Sequence, residues 1–284
     1  MIQIRKSAIL AMAALATAAM AVQDGMLLRR SFAEGQTETY VVETTTKQTV
    51  NLPNGMGEQE MASTVGMTYK IKTGKFDADK KSAPVEMTYT IDKFDAEGMM
   101  GQAGGDMKGK STTTKGTIDE RGRIIVAPEK TTNAMAAMMS GAQSLGASSI
   151  TVELPEKAVK VGDTWEVLVP KSPFTGKEDQ KLTAKLVGEK DVDGKAAWVV
   201  STEGVIKTDA DLSEMTKDAP GPMQGQKMTV KGTMEVKSDG VVEKSSGRTL
   251  RLTTKMNTKQ TVEMPDMGFT IGTNGTITTV VTAK

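Results

Sequence analysis

The sequence predicts a mostly β protein, built from two related units of antiparallel sheet with one helix between them. Three observations support this fold class. Long runs alternate between apolar and polar residues, dipeptides typical of tight turns separate these runs, and short stretches of sequence recur along the chain. Alternation with a period of two is the pattern of strands that bury one face and expose the other, as in antiparallel sheets.

The clearest predicted strands are two segments of almost identical pattern, residues 65–71 and 85–91. In each segment Val, Met, Tyr and Ile occupy every second position, and therefore one face. β-Branched and aromatic residues in such alternation favour strands. Similar alternation predicts strands within residues 37–50, 182–187, 228–236, 250–256 and 276–281.

Glycine after a charged or amide residue marks the predicted turns between strands. Asn-Gly and Asp-Gly pairs readily adopt the positive φ angles that tight hairpins require. The pairs are Asn54-Gly55, Glu97-Gly98, Arg121-Gly122, Asp193-Gly194, Asp239-Gly240 and Asn274-Gly275. We therefore expect a chain reversal at each of these positions.

One helix is predicted near residues 132–145. Ala134, Met135, Met138, Met139, Ala142 and Leu145 recur there at helical spacing, and Gly146 can end the helix. Methionine-lined surfaces adapt to apolar ligands of varied shape. Met135, Met138 and Met139 are therefore the candidate ligand-binding residues, and the helix is expected to bridge the two β units.

The chain repeats itself in a way that favours a duplicated β unit. Residues 114–118, followed by a predicted turn at Gly122, are echoed by residues 230–234, followed by one at Gly240. Residues 46–53 and 258–265 form a second echo, which does not follow the order of the first. We expect a first antiparallel unit with its helix over residues 22–154 and a second antiparallel unit over residues 155–284.

The first 21 residues have the pattern of a secretory signal peptide. Arg5 and Lys6 precede an uncharged, alanine-rich run that ends in Ala19-Met20-Ala21. We expect cleavage before Val22 and a periplasmic or secreted mature protein. The apolar run is shorter than the roughly 20 residues that cross a bilayer, so we predict no permanent membrane span after cleavage.

Composition excludes several classes of chemistry. The chain has no His and no Cys, which removes His-based acid–base catalysis, Ser-His and Cys-His nucleophiles and the usual sites for zinc, iron or copper. With 36 basic and 35 acidic residues, it also lacks the basic excess that nucleic-acid binding requires. We expect a protein without catalytic residues, cofactor or nucleic-acid partner.

Methionine is unusually abundant, with 21 residues against ten aromatic ones. Three interpretations are open. Methionine can replace Leu and Phe as flexible core filler, it can line an apolar binding site, or its thioethers can bind Cu(I) through clusters such as Met99, Met100 and Met107. The copper interpretation is a minor alternative, because many of these residues fall on the inward face of predicted strands.

Residues 154–165, which end in Gly162-Asp163-Thr164-Trp165, resemble a box found in a family of uncharacterised secreted bacterial β proteins. Gly35-Gln36-Thr37 and Gly194-Lys195, followed by Trp198, resemble further short motifs of that family. The resemblance covers most of residues 27–284 and implies no catalytic residue. From the residues themselves we interpret Gly162, Asp163 and Trp165 as structural, since Gly favours a turn, Asp bonds nearby amides and Trp buries apolar area.

At the level of fold, the chain also resembles periplasmic lipoprotein and lipid carriers of the LolA and LppX type. This resemblance implies curved, half-barrel-like sheets closed by helices over an apolar hollow. We therefore expect a non-catalytic envelope protein that binds an apolar small molecule, a lipid or a lipidated partner protein. The alternative is a structural envelope scaffold that binds other proteins and no ligand.

Overall fold

The computed structural model describes residues 25–52, 57–96, 108–126, 150–172, 175–176, 178–216 and 224–284. Within these residues eleven strands form one antiparallel sheet. They are β1 Thr37–Leu52, β2 Gly57–Thr73, β3 Ser82–Ala96, β4 Ser111–Asp119, β5 Ile124–Val126, β6 Thr164–Val169, β7 Gln180–Val192, β8 Lys195–Asp211, β9 Thr229–Glu243, β10 Thr249–Met264 and β11 Phe269–Ala283. The described part of the chain also has a four-residue helix, α1 Ser213–Thr216, and a 3-10 turn, Pro265–Met267.

The first and last strands meet in the middle of the sheet. The strand order is β5-β4-β3-β2-β1-β11-β10-β9-β8-β7-β6, and β1 pairs with β11 from Tyr40 opposite Ala283 to Asn51 opposite Gly272. The predicted mostly β, antiparallel class is confirmed. The prediction of two separate sheets is wrong, because this pairing joins both halves and satisfies backbone groups that two free edges would leave unpaired.

Several predicted features lie outside the described residues. These are the signal peptide with its cleavage site before Val22, the helix near residues 132–145 and the turns at Asn54-Gly55 and Glu97-Gly98. The boundary predicted between residues 154 and 155 falls within the described segment that connects β5 to β6 in sequence. The internal duplication stays a prediction.

Two of the predicted turns are strand interiors. Asp193-Gly194 does reverse the chain between β7 and β8, with positive φ at both residues. Gly240 instead lies within β9, where an added Cβ would come 2.3 Å from Val152 Cγ2. Gly275 lies within β11, where a Cβ would come 2.6 Å from the carbonyl oxygen of Lys47. At both positions glycine therefore allows the close approach of a neighbouring segment and does not form a turn.

Two extended segments cover one half of one face of the sheet. We call the face that carries Tyr40 and Val42 the inner face, and its covered half the closed end. The segments, residues 26–33 and 150–161, contribute Leu28, Ile150, Val152, Leu154 and Val159 to a buried cluster. Their strand partners include Tyr40, Val42, Tyr69, Ile71, Trp198, Val200 and Val281. Arg29 ties the two segments together by donating to the carbonyls of Pro155 and Glu156.

The sheet is strongly curled at the closed end. Glu153 forms an ion pair with Arg121, next to edge strand β5, and its carbonyl accepts a hydrogen bond from Trp165 Nε1 on the opposite edge strand β6. Ten strand spacings separate β5 from β6, about 48 Å in a flat sheet at about 4.8 Å each. One residue can contact both sides only if the edges curve toward each other. The edges are bridged by this segment and are not hydrogen-bonded to each other in the described strand pairing.

Candidate functional site

Beyond the closed end, the described residues of the inner face continue across the sheet without a charged side chain. We call this region the uncharged face. Register and alternation assign its residues, because antiparallel partners point to the same side and successive residues to opposite sides. Its central residues are Thr44, Thr46, Gln48 and Val50 on β1, Thr273, Ile277 and Thr279 on β11, Thr254, Met256, Thr258 and Gln260 on β10, and Val230, Met234, Val236 and Ser238 on β9.

The neighbouring strands extend the same surface. β2 adds Met61, Ser63 and Val65, β8 adds Thr202, Ile206 and Thr208, and β6 and β7 add Val167, Val169, Gln180 and Leu182. Most of these side chains are half-buried, and Thr254, Thr258 and Thr279 are buried. Beyond the closed end, the charges of the same strands lie on the outer face. On β10, for example, Lys255, Lys259 and Glu263 alternate with Met256, Thr258 and Gln260.

Hydroxyl groups of the uncharged face bond to each other across strands. Thr44 Oγ1 and Thr279 Oγ1 are 3.2 Å apart, and Ser238 Oγ and Thr254 Oγ1 are 2.9 Å apart. Such pairs satisfy polar atoms within the sheet and leave the threonine methyl groups for contact. The surface is therefore less polar than its composition of Thr and Ser indicates.

A second hydrophobic cluster on this face differs from that of the closed end. Its buried members are Leu182, Ile206 and Val236, with Val167, Val169, Met234 and Met256 packed against them. All of these residues belong to strands. Among the residues that the structure describes, no covering segment contributes to this cluster, whereas two segments contribute to the cluster at the closed end.

The closed end holds a buried polar cluster. Glu38 is paired with Arg30, lies 3.8 Å from Arg248 Nε and accepts a hydrogen bond of 2.5 Å from the Tyr40 hydroxyl. Burial, which disfavours the phenolate, is the first cause of a raised pKa at Tyr40. This cluster anchors residues 26–33 to β1, and its Tyr40 is also a member of the apolar core.

The residues of the Gly-Asp-x-Trp box lie at the start of edge strand β6. Gly162 has φ of 98° and donates to Leu186 O, while Leu186 N donates to Asp163 O, so the box forms a bulge that opens the strand. Asp163 Oδ2 accepts from the Lys160 amide. Trp165 packs against the closed-end cluster and holds the carbonyl of Glu153 at 3.1 Å.

Glu153, in the segment that bridges the two sheet edges, has a strongly raised pKa. Burial raises its pKa to about 7, against the opposing charges of Arg121 and Arg123. Its carboxylate lies 2.6 Å from Arg121 Nη2. The group belongs to the bridge between the sheet edges and not to the uncharged face.

The structure describes only some of the predicted site residues. Gly162, Asp163 and Trp165 come together at one edge of the sheet, whereas Met135, Met138 and Met139 lie outside the described residues. The uncharged face itself was missed by the sequence analysis. Its signal is the absence of charge at every second position of the strands, which becomes visible only when the strands are placed in register.

In the described part of the chain, no helix has the length and apolarity needed to cross a bilayer. The described residues also contain no cluster of His, Cys, Asp and Glu side chains placed to hold a metal ion. The methionines of the predicted Cu(I) clusters lie outside those residues. Copper binding therefore stays a prediction.

No family model matches the chain, and no curated protein matches it. Among solved structures, lipovitellin in a study of its lipid–protein interactions aligns with 89% of this chain at 10% identity and a TM-score of 0.44. This chain spans 25% of the length of that protein. A DUF1329 family protein from Desulfovibrio piger aligns over 88% of this chain and 85% of its own length, at 11% identity and a TM-score of 0.20. Structural similarity at these TM-scores and identities gives no information about function.

Proposed function

We propose that the protein is a non-catalytic binding protein whose uncharged face takes up an apolar molecule, such as a lipid or the lipid group of a partner protein. One observation carries the proposal. In the described strands beyond the closed end, the outer face has charged residues and the inner face has none. A sheet that had water on both sides would gain nothing from this separation of charge.

The physical chemistry of the surface suits such a ligand. Burial of apolar area stabilises a complex by about 25 cal/mol per Å², provided that no charged group loses its water. Methionine, valine, isoleucine and threonine methyl groups provide apolar contact, and flexible methionines such as Met61, Met234 and Met256 fit ligands of different shape. Pairing between hydroxyls lowers the cost of desolvating the threonines.

We further propose that the protein works outside the cytoplasm and catalyses no reaction. The export proposal rests on the signal pattern of residues 1–21, and the second on the lack of His and Cys in the sequence. A structural scaffold is the other candidate. It would use the broad outer face with its alternating Lys, Glu and Thr, and would leave the inner face without a ligand.

A charge placed on the uncharged face tests the proposal. Thr46 on the inner face and Thr45 on the outer face are neighbours on β1 and are both half-buried. Titration with N-phenyl-1-naphthylamine, an uncharged apolar fluorophore, measures binding to wild type and to each variant. We expect Thr46→Lys to weaken binding by about tenfold or more, because the ligand would have to desolvate an ammonium group.

Thr45→Lys is the matched control and should bind the fluorophore as wild type does, with thermal unfolding used to verify that both variants fold. Equal binding by the two variants, or no binding by wild type, would favour the scaffold over the carrier. Replacement of Met135, Met138 and Met139 together by Glu applies the same test to the methionines singled out by the sequence.

A further inference from the structure

Edge strand β6 presents unpaired backbone groups along its outer side. Leu186 donates to the carbonyl of Asp163 and accepts from the amide of Gly162, and these two hydrogen bonds determine which residues of β6 bond to β7. In antiparallel pairs every second residue bonds to the partner strand, so Trp165, Val167 and Val169 bond to β7. The N–H and C=O groups of Thr164, Glu166 and Leu168 therefore point away from the sheet. Among the described residues, these groups have no backbone hydrogen-bond partner.

An open groove of about 760 Å³ runs along this same edge. Thr164, Glu166 and Leu168 line one wall, and Glu153 and residues 155–159 line the other. Of the β6 residues whose backbone groups bond to β7, Trp165 also lines the groove, whereas Val167 and Val169 do not. The groove thus includes all three residues of β6 whose backbone groups point away from the sheet. Residues 164–168 span about 13 Å, which matches an extended peptide of about five residues.

Protective features of natural edge strands are sparse on β6. Such edges are commonly shielded by lysine, proline, a bulge or a covering segment. The strand between Thr164 and Val169 has no lysine and no proline, its bulge lies at its start, and Leu168 is 42% exposed. Glu166, in an ion pair with Lys181 on β7, is its single charged residue.

We propose that the groove is a peptide-binding site in which an extended segment of a partner protein adds a twelfth strand to the sheet beside β6. Backbone pairing would supply the affinity, and side chains of the segment would set the specificity, as in other cases of strand addition. The observation that carries the proposal is the coincidence of three outward-facing residues with the wall of a strand-sized groove.

The charges of the groove favour a basic segment. Arg121 is paired with Glu153, and Arg123 with Asp119, so these arginines are already compensated. Glu166 is likewise paired with Lys181, which leaves Glu156 and Asp163 against Lys157 along the walls. A Lys or Arg side chain of the segment opposite Glu166 would form a favourable cross-strand pair.

A second copy of the chain fits the edge less well. In a symmetric antiparallel pair of β6 strands centred on the outward-facing residues 164–168, Glu166 would lie directly opposite its own counterpart. Like charges directly opposite each other destabilise a sheet pair. The occupant is therefore a different, basic segment, and self-association is an outcome that the test must distinguish.

Hydrogen exchange with a short labelled peptide tests the proposal. The probe is a fluorescein-labelled peptide of alternating Thr and Val with a central Lys, added to the full-length protein. We expect the amides of Thr164, Glu166 and Leu168 to exchange quickly in the free protein and at least tenfold more slowly with the peptide bound. Binding of the peptide without this protection, or protection of these amides by self-association before peptide is added, would overturn the proposal.

Two N-methylated peptides provide a control that leaves the protein unchanged. One is methylated at the central Lys and at alternate residues, and the other at the residues between them. Because only one edge of the peptide can face β6, exactly one set of methyl groups should abolish binding, measured by fluorescence anisotropy. Equal affinity of both peptides would contradict backbone pairing.

Variants of the protein give an independent measurement. Glu166→Pro removes an outward-facing N–H at an edge position where proline is tolerated, and should weaken peptide binding at least tenfold. Glu166→Gln keeps the N–H and should lose only the preference for Lys over Glu at the centre of the peptide. Neither variant should change binding of the apolar fluorophore, so this site can fail while the proposed function stands.

Discussion

The two halves of the inner face are built from the same strands and differ in what stabilises them. At the closed end, two extended segments pack on the sheet, and Tyr40, Ile71 and Val281 are almost fully buried. On the uncharged face the same strands carry Thr46, Gln48 and Ile277, which stay half-buried. The strand pairing continues without interruption from one half to the other along β1 and β11.

The closed end and the uncharged face therefore differ in composition and in burial. The closed end has the properties of a core: apolar contact, a buried ion pair between Glu38 and Arg30, and a segment that contacts both sheet edges. The uncharged face also lacks charged residues, but most of its side chains are only half-buried. The closed end therefore stabilises the fold, and the uncharged face carries the proposed binding surface.

The largest expected effect concerns the buried carboxylate of the closed end. Glu38→Ala should lower the free energy of unfolding by about 3–5 kcal/mol, because it leaves the buried Arg30 without its partner. Glu43→Ala, an exposed position on the same strand, should change it by less than about 0.5 kcal/mol. Urea unfolding followed by circular dichroism measures both. Similar stability of the two variants would contradict the stabilising role of the closed end.

The next effect is the pH dependence of the bridge between the sheet edges. Because burial raises the pKa of Glu153 from 4.5 to about 7, the folded protein keeps a proton that the unfolded chain releases between these values. The stability of wild type relative to Glu153→Gln should therefore fall as the pH rises from about 4.5 to 7 and level off above it, by roughly 3 kcal/mol at most. Thermal unfolding at a series of pH values tests the sign. A relative stability that rises with pH would show that the ion pair with Arg121 outweighs burial.

A smaller effect compares two apolar residues on the inner face of β11. Val281 lies in the closed end and is 1% exposed, whereas Ile277 lies on the uncharged face and is half-buried. Val281→Ala should cost about 2 kcal/mol and Ile277→Ala about 1 kcal/mol, although the second change removes more carbon. Calorimetric unfolding of both variants checks this order. The reverse order would mean that the uncharged face is itself a stabilising core.

Local patterns in the sequence predicted the strands well and their arrangement poorly. Alternation within residues 65–71 and 85–91 is a property of each strand, and β2 and β3 contain these segments in paired register. The pairing of β1 with β11 joins residues more than two hundred positions apart, and no local signal specifies it. The expectation of two sheets failed for this reason.

Glycine shows the same limit of local reasoning. Asp193-Gly194 and Asp239-Gly240 read alike in sequence, yet one is a turn and the other is the interior of a strand. The difference lies in Val152, which approaches Gly240 from a distant segment. The uncharged face was not recognised for a similar reason. Threonine alternating with lysine predicts a strand with one solvent-exposed face, but it does not reveal that eight strands place their uncharged residues on the same side of the sheet.

The most direct test of the central claim is native mass spectrometry of the protein purified from the envelope of the organism that makes it. We expect wild type and Thr45→Lys to carry a stoichiometric apolar molecule that organic solvent extracts, and Thr46→Lys to be recovered folded without it. The intact mass of the same samples reports whether the mature chain begins at Val22. Folded wild-type protein that carries no apolar molecule, at the same yield as Thr46→Lys, would contradict the proposed function.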